Sequence, residues 1–175
     1  LSGSTLEKVS LVGSDMESAN LRGVRADGAD FTGANLGRAH MGQASLKGAR
    51  LRAANLASTR LDGANLSGAD LRRAHLGVRL EVEDAKADPR LKLQPDSPCF
   101  PLLRCDNKAL SELTDDSGVG ALLVDTNLEG ADLGKADLNG VVMQRGSLRQ
   151  AHLKGARTKG VRVIDVDLSD TICPD

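Results

Sequence analysis

Through most of the first half of the chain a large apolar residue recurs at every fifth position: Phe31, Leu36, Met41, Leu46, Leu51, Leu56, Leu61, Leu66, Leu71 and Leu76. Two positions before each stands a small one: Ala29, Ala34, Ala39, Ala44, Ala49, Ala54, Thr59, Ala64, Ala69 and Ala74. No single regular element buries this pattern. An α-helix turns about 100° per residue, so a period of five drifts about 140° per repeat and draws no stripe. A strand alternates faces, so an odd period sends successive leucines to opposite sides. The chain must therefore turn after each repeat to bring the next Leu inward. Four such turns close a square coil, and stacked coils pair backbone to backbone at about 4.8 Å. One large and one small inward side chain per side is what a narrow, close-packed interior accepts.

The same frame runs back through Ala26, Leu21, Met16, Leu11, Leu6 and Leu1, giving 16 repeats, or four coils. Ala26 is undersized, and Val24 beside it is the residue placed to compensate. Ser4, Ser14 and Thr59 fall in the small slot, where a buried hydroxyl is expected to bond to backbone. After Leu76 the next slots hold Arg79 and Glu81, both wrong for an interior. No period of five survives from there to about Gly120, a stretch with four of the five prolines. The repeat resumes at Leu123 and continues through Leu128, Leu133, Leu138, Met143, Leu148, Leu153, Thr158, Val163, Leu168 and Cys173. Leu76 and Leu123 are 47 residues apart, which is not a multiple of five, so the frame reads as reset. The expected organisation is a first solenoid block over 1–78, an inserted non-repeat loop over 79–120, and a second block over 121–175. Asp106 to Leu113 reads as a short helix with Asp106 as N-cap. In all the repeats make six to seven coils, a rod about 32 Å long. Neither end carries a capping helix, so the end coils are expected to be cut from a longer chain or covered by another subunit or domain.

Composition agrees. Two Phe and no Tyr or Trp in 175 residues would starve a globular core, but not a coil filled by Leu and Ala. The start on Leu1 reads as a trimmed or processed piece. No run of 18 apolar residues is present, so no membrane-spanning helix is expected. The formal net charge of −1 advertises neither nucleic-acid nor membrane-surface binding. Residues 1–80 hold 11 basic and 7 acidic residues, residues 81–120 hold 5 and 9, and residues 121–175 hold 7 and 8. An acidic loop lying on a basic face of the first block is one reading of that distribution.

Candidate chemistry is sparse. His40, His75 and His152 take the slot before the large residue, which faces outward; His40 and His75 are seven repeats apart and so on different faces. No metal site is expected from them. The many aspartates, among them Asp15, Asp30, Asp62, Asp70, Asp132, Asp137 and Asp167, read as turn residues whose carboxylates bond local backbone. A filled coil offers no pocket for a catalytic pair, so neither catalytic residues nor a cofactor are expected. Cys99 and Cys105, spaced C-x5-C, leave two readings open: a disulfide in an oxidising compartment, or two thiols in the cytosol. Cys173 falls in an inward slot and reads as a small core hydrophobe.

The tandem Ala34-Asn35-Leu36, Ala54-Asn55-Leu56, Ala64-Asn65-Leu66, Ala69-Asp70-Leu71 and Ala131-Asp132-Leu133 resemble the pentapeptide repeat proteins. The resemblance implies an all-β, right-handed quadrilateral β-helix and a non-enzymatic scaffold for protein partners. The insertion is then the candidate recognition element, with an apolar contact at Phe100, Leu102 and Leu103 beside Arg104. An alternative implied by the quinolone-resistance branch is a DNA-mimicking regulator of the topoisomerase gyrase. Against it stand the mixed rod charge and the single Phe31 in a large slot.

Overall fold

The computed structural model describes residues 1–77 and 120–174. Each repeat ends in a corner. The N–H three residues beyond the large residue donates to its carbonyl, as from Ala34 to Phe31 at 3.0 Å and from Ala39 to Leu36 at 3.0 Å. The third corner residue takes a positive φ, 66° at Gly33, 57° at Arg38 and 60° at Gln43, as a type II turn requires. Between corners the coils pair in parallel, 20 residues apart: Thr5 with Arg25 on the first face, Ser10 with Asp30 on the second, Asp15 with Asn35 on the third, Asn20 with His40 on the fourth. The large residue donates to one neighbouring coil and the residue before it to the other, as with Leu36 to Asn55 at 2.8 Å and Asn35 to Ser14 at 2.9 Å. This is the quadrilateral β-helix expected from the period.

The interior is the predicted pair of slots. Leu21, Phe31, Leu36, Met41 and the leucines through Leu76 are buried, with the alanines before them. Each buried large side chain contributes roughly 1.5–3 kcal/mol. Val24 and Ala26 are both fully buried, so the undersized repeat is filled from its small slot. The hydroxyls bond backbone as expected: Thr59 Oγ1 donates to the Leu36 carbonyl at 2.9 Å, Ser4 Oγ to Leu1 at 2.6 Å and Ser14 Oγ to Leu11 at 2.7 Å. Thr126 and Thr171 do the same to Leu61 and Leu148, both at 2.8 Å.

Two features depart from a uniform coil. The first corrects the expectation of a reset frame. Arg60 pairs with Leu122, Asn65 with Asn127, Asp70 with Asp132 and His75 with Asp137. Each pair is 62 residues apart, one 20-residue coil plus the 42 residues from 78 to 119. The Ala121 N–H donates to the Leu76 carbonyl at 2.7 Å, which is the ordinary corner bond. Leu76, Gly77, Gly120, Ala121, Leu122 and Leu123 thus form one unbroken repeat step, with the intervening residues spliced into its corner. Both corner glycines are tight: a Cβ on Gly77 would lie 2.6 Å from the Asn139 carbonyl oxygen, and one on Gly120 would lie 2.9 Å from that of Leu76. The insertion expected over 79–120, with its helix over Asp106 to Leu113, otherwise lies outside the described residues.

The second departure is on the fourth face. After Leu21, Met41 and Leu61 the corner closes tightly, with bonds of 3.2, 3.1 and 2.9 Å from Val24, Ala44 and Ala64. In the second block the same face runs on as three short strands, β1 (Leu122–Val124), β2 (Val142–Gln144) and β3 (Arg162–Ile164). They form a parallel sheet in the order β1-β2-β3, with Leu122 opposite Val142 and Val142 opposite Arg162.

Candidate interaction surface

The slot before each large residue points outward and stacks into a ladder up each face. On the third face the ladder is polar. Asn55 Nδ2 donates to Asn35 Oδ1 at 2.8 Å, and Asn35 Nδ2 to Asp15 Oδ1 at 3.0 Å. The same side-chain oxygens accept the N–H two residues on, as from Ala57 to Asn55 and Glu17 to Asp15. The aspartates behave as read from the sequence, with the same turn bond at Asp30, Asp70, Asp132, Asp137 and Asp167. The ladder ends in His75, Asp137 and Arg157, with His75 Nδ1 3.2 Å and Arg157 Nη1 3.5 Å from Asp137 Oδ2.

The second face mixes acids and bases. Arg50 lies 3.5 Å from Asp30, and Arg72 bridges Asp70 at 2.5 Å and Asp132 at 3.5 Å. Hydrogen bonds from Thr32 lower the pKa of Asp30, and the Arg72 hydrogen bond lowers that of Asp70. At the fourth-face corner Arg145 forks onto Asp125 at 2.9 and 3.0 Å, which lowers the pKa of Asp125. Exposed pairs of this kind contribute about 0–1 kcal/mol each. What they do decide is the surface field: acids and bases are interleaved rather than collected into a stripe. His40 and His152 are exposed on the fourth and second faces, so the three histidines sit on three faces. Among the described residues no three His, Cys, Asp or Glu side chains gather as metal ligands would, and no helix is long and apolar enough to cross a membrane.

The fourth face of the second block differs. Where the first block places Asn20, His40 and Arg60 outward, β1 and β2 place Leu122 and Val142, with Val124 beside them. Sequence reasoning passed over this patch, although Ala121-Leu122-Leu123-Val124 and Val141-Val142-Met143 break the A-(D/N)-L motif with apolar residues in outward slots.

Eight copies of the pentapeptide repeat model match the chain, over residues 1–38, 39–77 and 121–157. The chain belongs to the pentapeptide repeat family. Its fold is the right-handed β-helix of that family. Among solved structures it is similar to a pentapeptide repeat protein from the Arabidopsis thaliana thylakoid lumen, at 29% identity and TM-score 0.40 over 48% of this chain and 65% of that one. It is also similar to HetL, involved in heterocyst differentiation regulation in the cyanobacterium Nostoc, at 27% identity and TM-score 0.38 over 98% and 62%. QnrB1, a plasmid-mediated fluoroquinolone resistance protein, matches at 18% identity and TM-score 0.46 over 97% and 67%. The chain spans less than two thirds of the length of the first two. No curated protein matches it.

The contact residues expected from the sequence, Phe100, Leu102, Leu103 and Arg104, lie outside the described residues, as do Cys99 and Cys105. Cys173 corrects its expectation. It occupies the inward slot of the last described coil, but it is half-buried and disulfide-bonded rather than a plain core thiol.

Proposed function

We propose that this pentapeptide repeat protein is a non-enzymatic scaffold for a protein partner, with the 79–120 insertion as its recognition element. The observation that carries this reading is the splice. The coil passes from Gly77 to Gly120 without loss of register, so the pairing of the described coils follows the repeat alone. A stretch set apart from the repeat and rich in apolar and acidic residues is where a specific contact belongs. The ladders bond largely to themselves and to local backbone, which suits a rigid support. Interleaved charge supports this reading over duplex mimicry, which calls for a continuous acidic surface.

The test is affinity capture from lysate with the intact chain and with the double variant Phe100→Asp/Leu103→Asp. Loss of a captured protein in the variant, at unchanged melting temperature, supports the contact. Equal capture by both overturns it, and a topoisomerase retained by both moves the contact to the rod faces.

A further inference from the structure

Acids and bases are mixed along the faces, but not along every edge between them. The edge joining the second and third faces is built from six stacked corners, from Val12-Gly13 to Lys154-Gly155. Its last four corners hold Arg52, Arg72, Arg73, Lys135 and Lys154, and none of the six holds an acid. The edge joining the first and second faces, by contrast, carries Glu7, Lys8, Asp27, Lys47, Glu129 and Arg149. All five cations of the first-named edge are exposed. Asp70, on the second face, lies 4.0 Å from Arg52 and 2.5 Å from Arg72, whereas Arg73, Lys135 and Lys154 form no ion pair among the described residues. A net charge of −1 hides such an edge, because opposite signs elsewhere cancel it.

The row is straight and held in place. The carbonyls of Arg52, Arg72, Gly134 and Lys154 accept the N–H groups of Gly33, Ala53, Arg73 and Lys135 at 2.9 to 3.0 Å. The side-chain stems lie along the edge: Arg72 Cγ stands 3.5 Å from where a Cβ on Gly134 would be, and Lys135 Cγ 3.4 Å from one on Gly155. From Arg52 to Lys154 is three coil spacings, about 14 Å. One strand of a DNA duplex presents about four phosphates over that length of axis.

What the edge lacks selects its occupant. Its backbone is bonded from coil to coil, so no strand edge is open for a peptide to extend. Phe31, the one aromatic residue among those described, is fully buried, so nothing stacks on the bases of a single strand. The exposed large apolar residues are Leu1, Val9, Val12 and Ile172, none of them in the cationic row, so nothing there enters a bilayer. The four cationic corners include no hydroxyl or amide side chain to meet the 2′-OH that distinguishes RNA. Positive charge alone remains, and that suits a phosphate backbone. We propose that Arg52, Arg72, Arg73, Lys135 and Lys154 bind the phosphate backbone of double-stranded DNA without reading its sequence. Contact at this edge needs no residue of the insertion, so it stands or falls apart from the scaffold reading.

The test is fluorescence anisotropy of a mixed-sequence DNA duplex with the full chain, titrated between 50 and 200 mM salt. Three to five neutralised phosphates give a log–log salt slope of about −2.7 to −4.5, a fall in affinity of roughly 40- to 500-fold over that range. The variant Arg73→Gln/Lys135→Gln/Lys154→Gln is expected to flatten the slope by about 2.7. The variant Arg22→Gln/Lys47→Gln/Arg149→Gln removes the same charge from exposed positions on other edges and is expected to leave the slope unchanged. Equal flattening by both variants, or no binding at the lowest salt, overturns the proposal. So does tighter binding to an RNA duplex of the same sequence, or binding to phosphatidylserine vesicles with none to the DNA.

Discussion

Replacing Gly146 with Ala separates the cost of a tight backbone approach from that of a strained turn. Gly146 holds a small slot on the first face, and an added Cβ would stand 2.6 Å from the Thr126 carbonyl oxygen. Ordinary contact begins near 3.4 Å, so about 0.8 Å must be found by moving backbone, since no flexible side chain can yield. That carbonyl accepts the Ser147 N–H at 3.0 Å. Retreat of the carbonyl lengthens the bond past useful range and leaves a coil-to-coil donor unsatisfied. A lost buried bond costs about 1–3 kcal/mol and overpacking about 1–3 kcal/mol more, together roughly 2–6 kcal/mol. The control is Gly33→Ala. Its Cβ meets nothing within 4 Å, but φ is 66°, so only left-handed strain of about 1–2 kcal/mol applies. At this chain length each kcal/mol moves the melting temperature by about 2–4 °C. Because repeat arrays depart from two-state unfolding, amide exchange at Ser147 should accompany thermal denaturation. Ser147 is expected to lose protection in Gly146→Ala and keep it in Gly33→Ala. A Gly146→Ala protein no less stable than the control refutes the reasoning.

Ala53 sits at an exposed corner with φ 53°, so Ala53→Gly is expected to stabilise by about 0.5–1 kcal/mol in urea denaturation. Thr59→Val keeps the shape and removes the Oγ1 bond to the Leu36 carbonyl, which still accepts the Ala39 N–H; the expected loss is about 1 kcal/mol, and Thr59→Ser, which keeps the hydroxyl, should differ by pH-independent packing alone. The Asp30, Asp70, Asp125 and Asp167 carboxyls are held below their ordinary value of 3.8. Their stabilisation is therefore present above about pH 4 and lost as pH falls through the depressed values; a melting temperature that rises on acidification from pH 5 to pH 2 contradicts this. Leu56→Ala, at a fully buried slot, is expected to cost about 2–5 kcal/mol by equilibrium denaturation.

Much of the coil was legible in its period, because five residues per side fixes which side chains face inward whatever the outward ones are. The hydroxyl bonds of Ser4, Ser14 and Thr59 followed from the same logic. Counting failed at the splice for a simple reason. A loop that leaves and returns at one corner can have any length, so a 47-residue step between Leu76 and Leu123 says nothing about register; only the pairing of Arg60 with Leu122 does. Cys173 was misread because an inward slot says nothing of whether its sulfur is bonded. Val142 was missed because an apolar residue in an outward slot is invisible to a search for the repeat, which asks only whether the inward slots are right.

The central claim is that one continuous coil carries a spliced insertion. Amide exchange on a chain lacking residues 78–119, with Gly77 joined to Gly120, tests it directly. The Leu122, Asn127, Asp132 and Asp137 N–H groups donate across the junction to Thr59, Ala64, Ala69 and Ala74. The account predicts that all four stay protected, since the deletion restores the period of five. Rapid exchange at all four, with protection kept inside the first block, would mean two separate blocks and would contradict it.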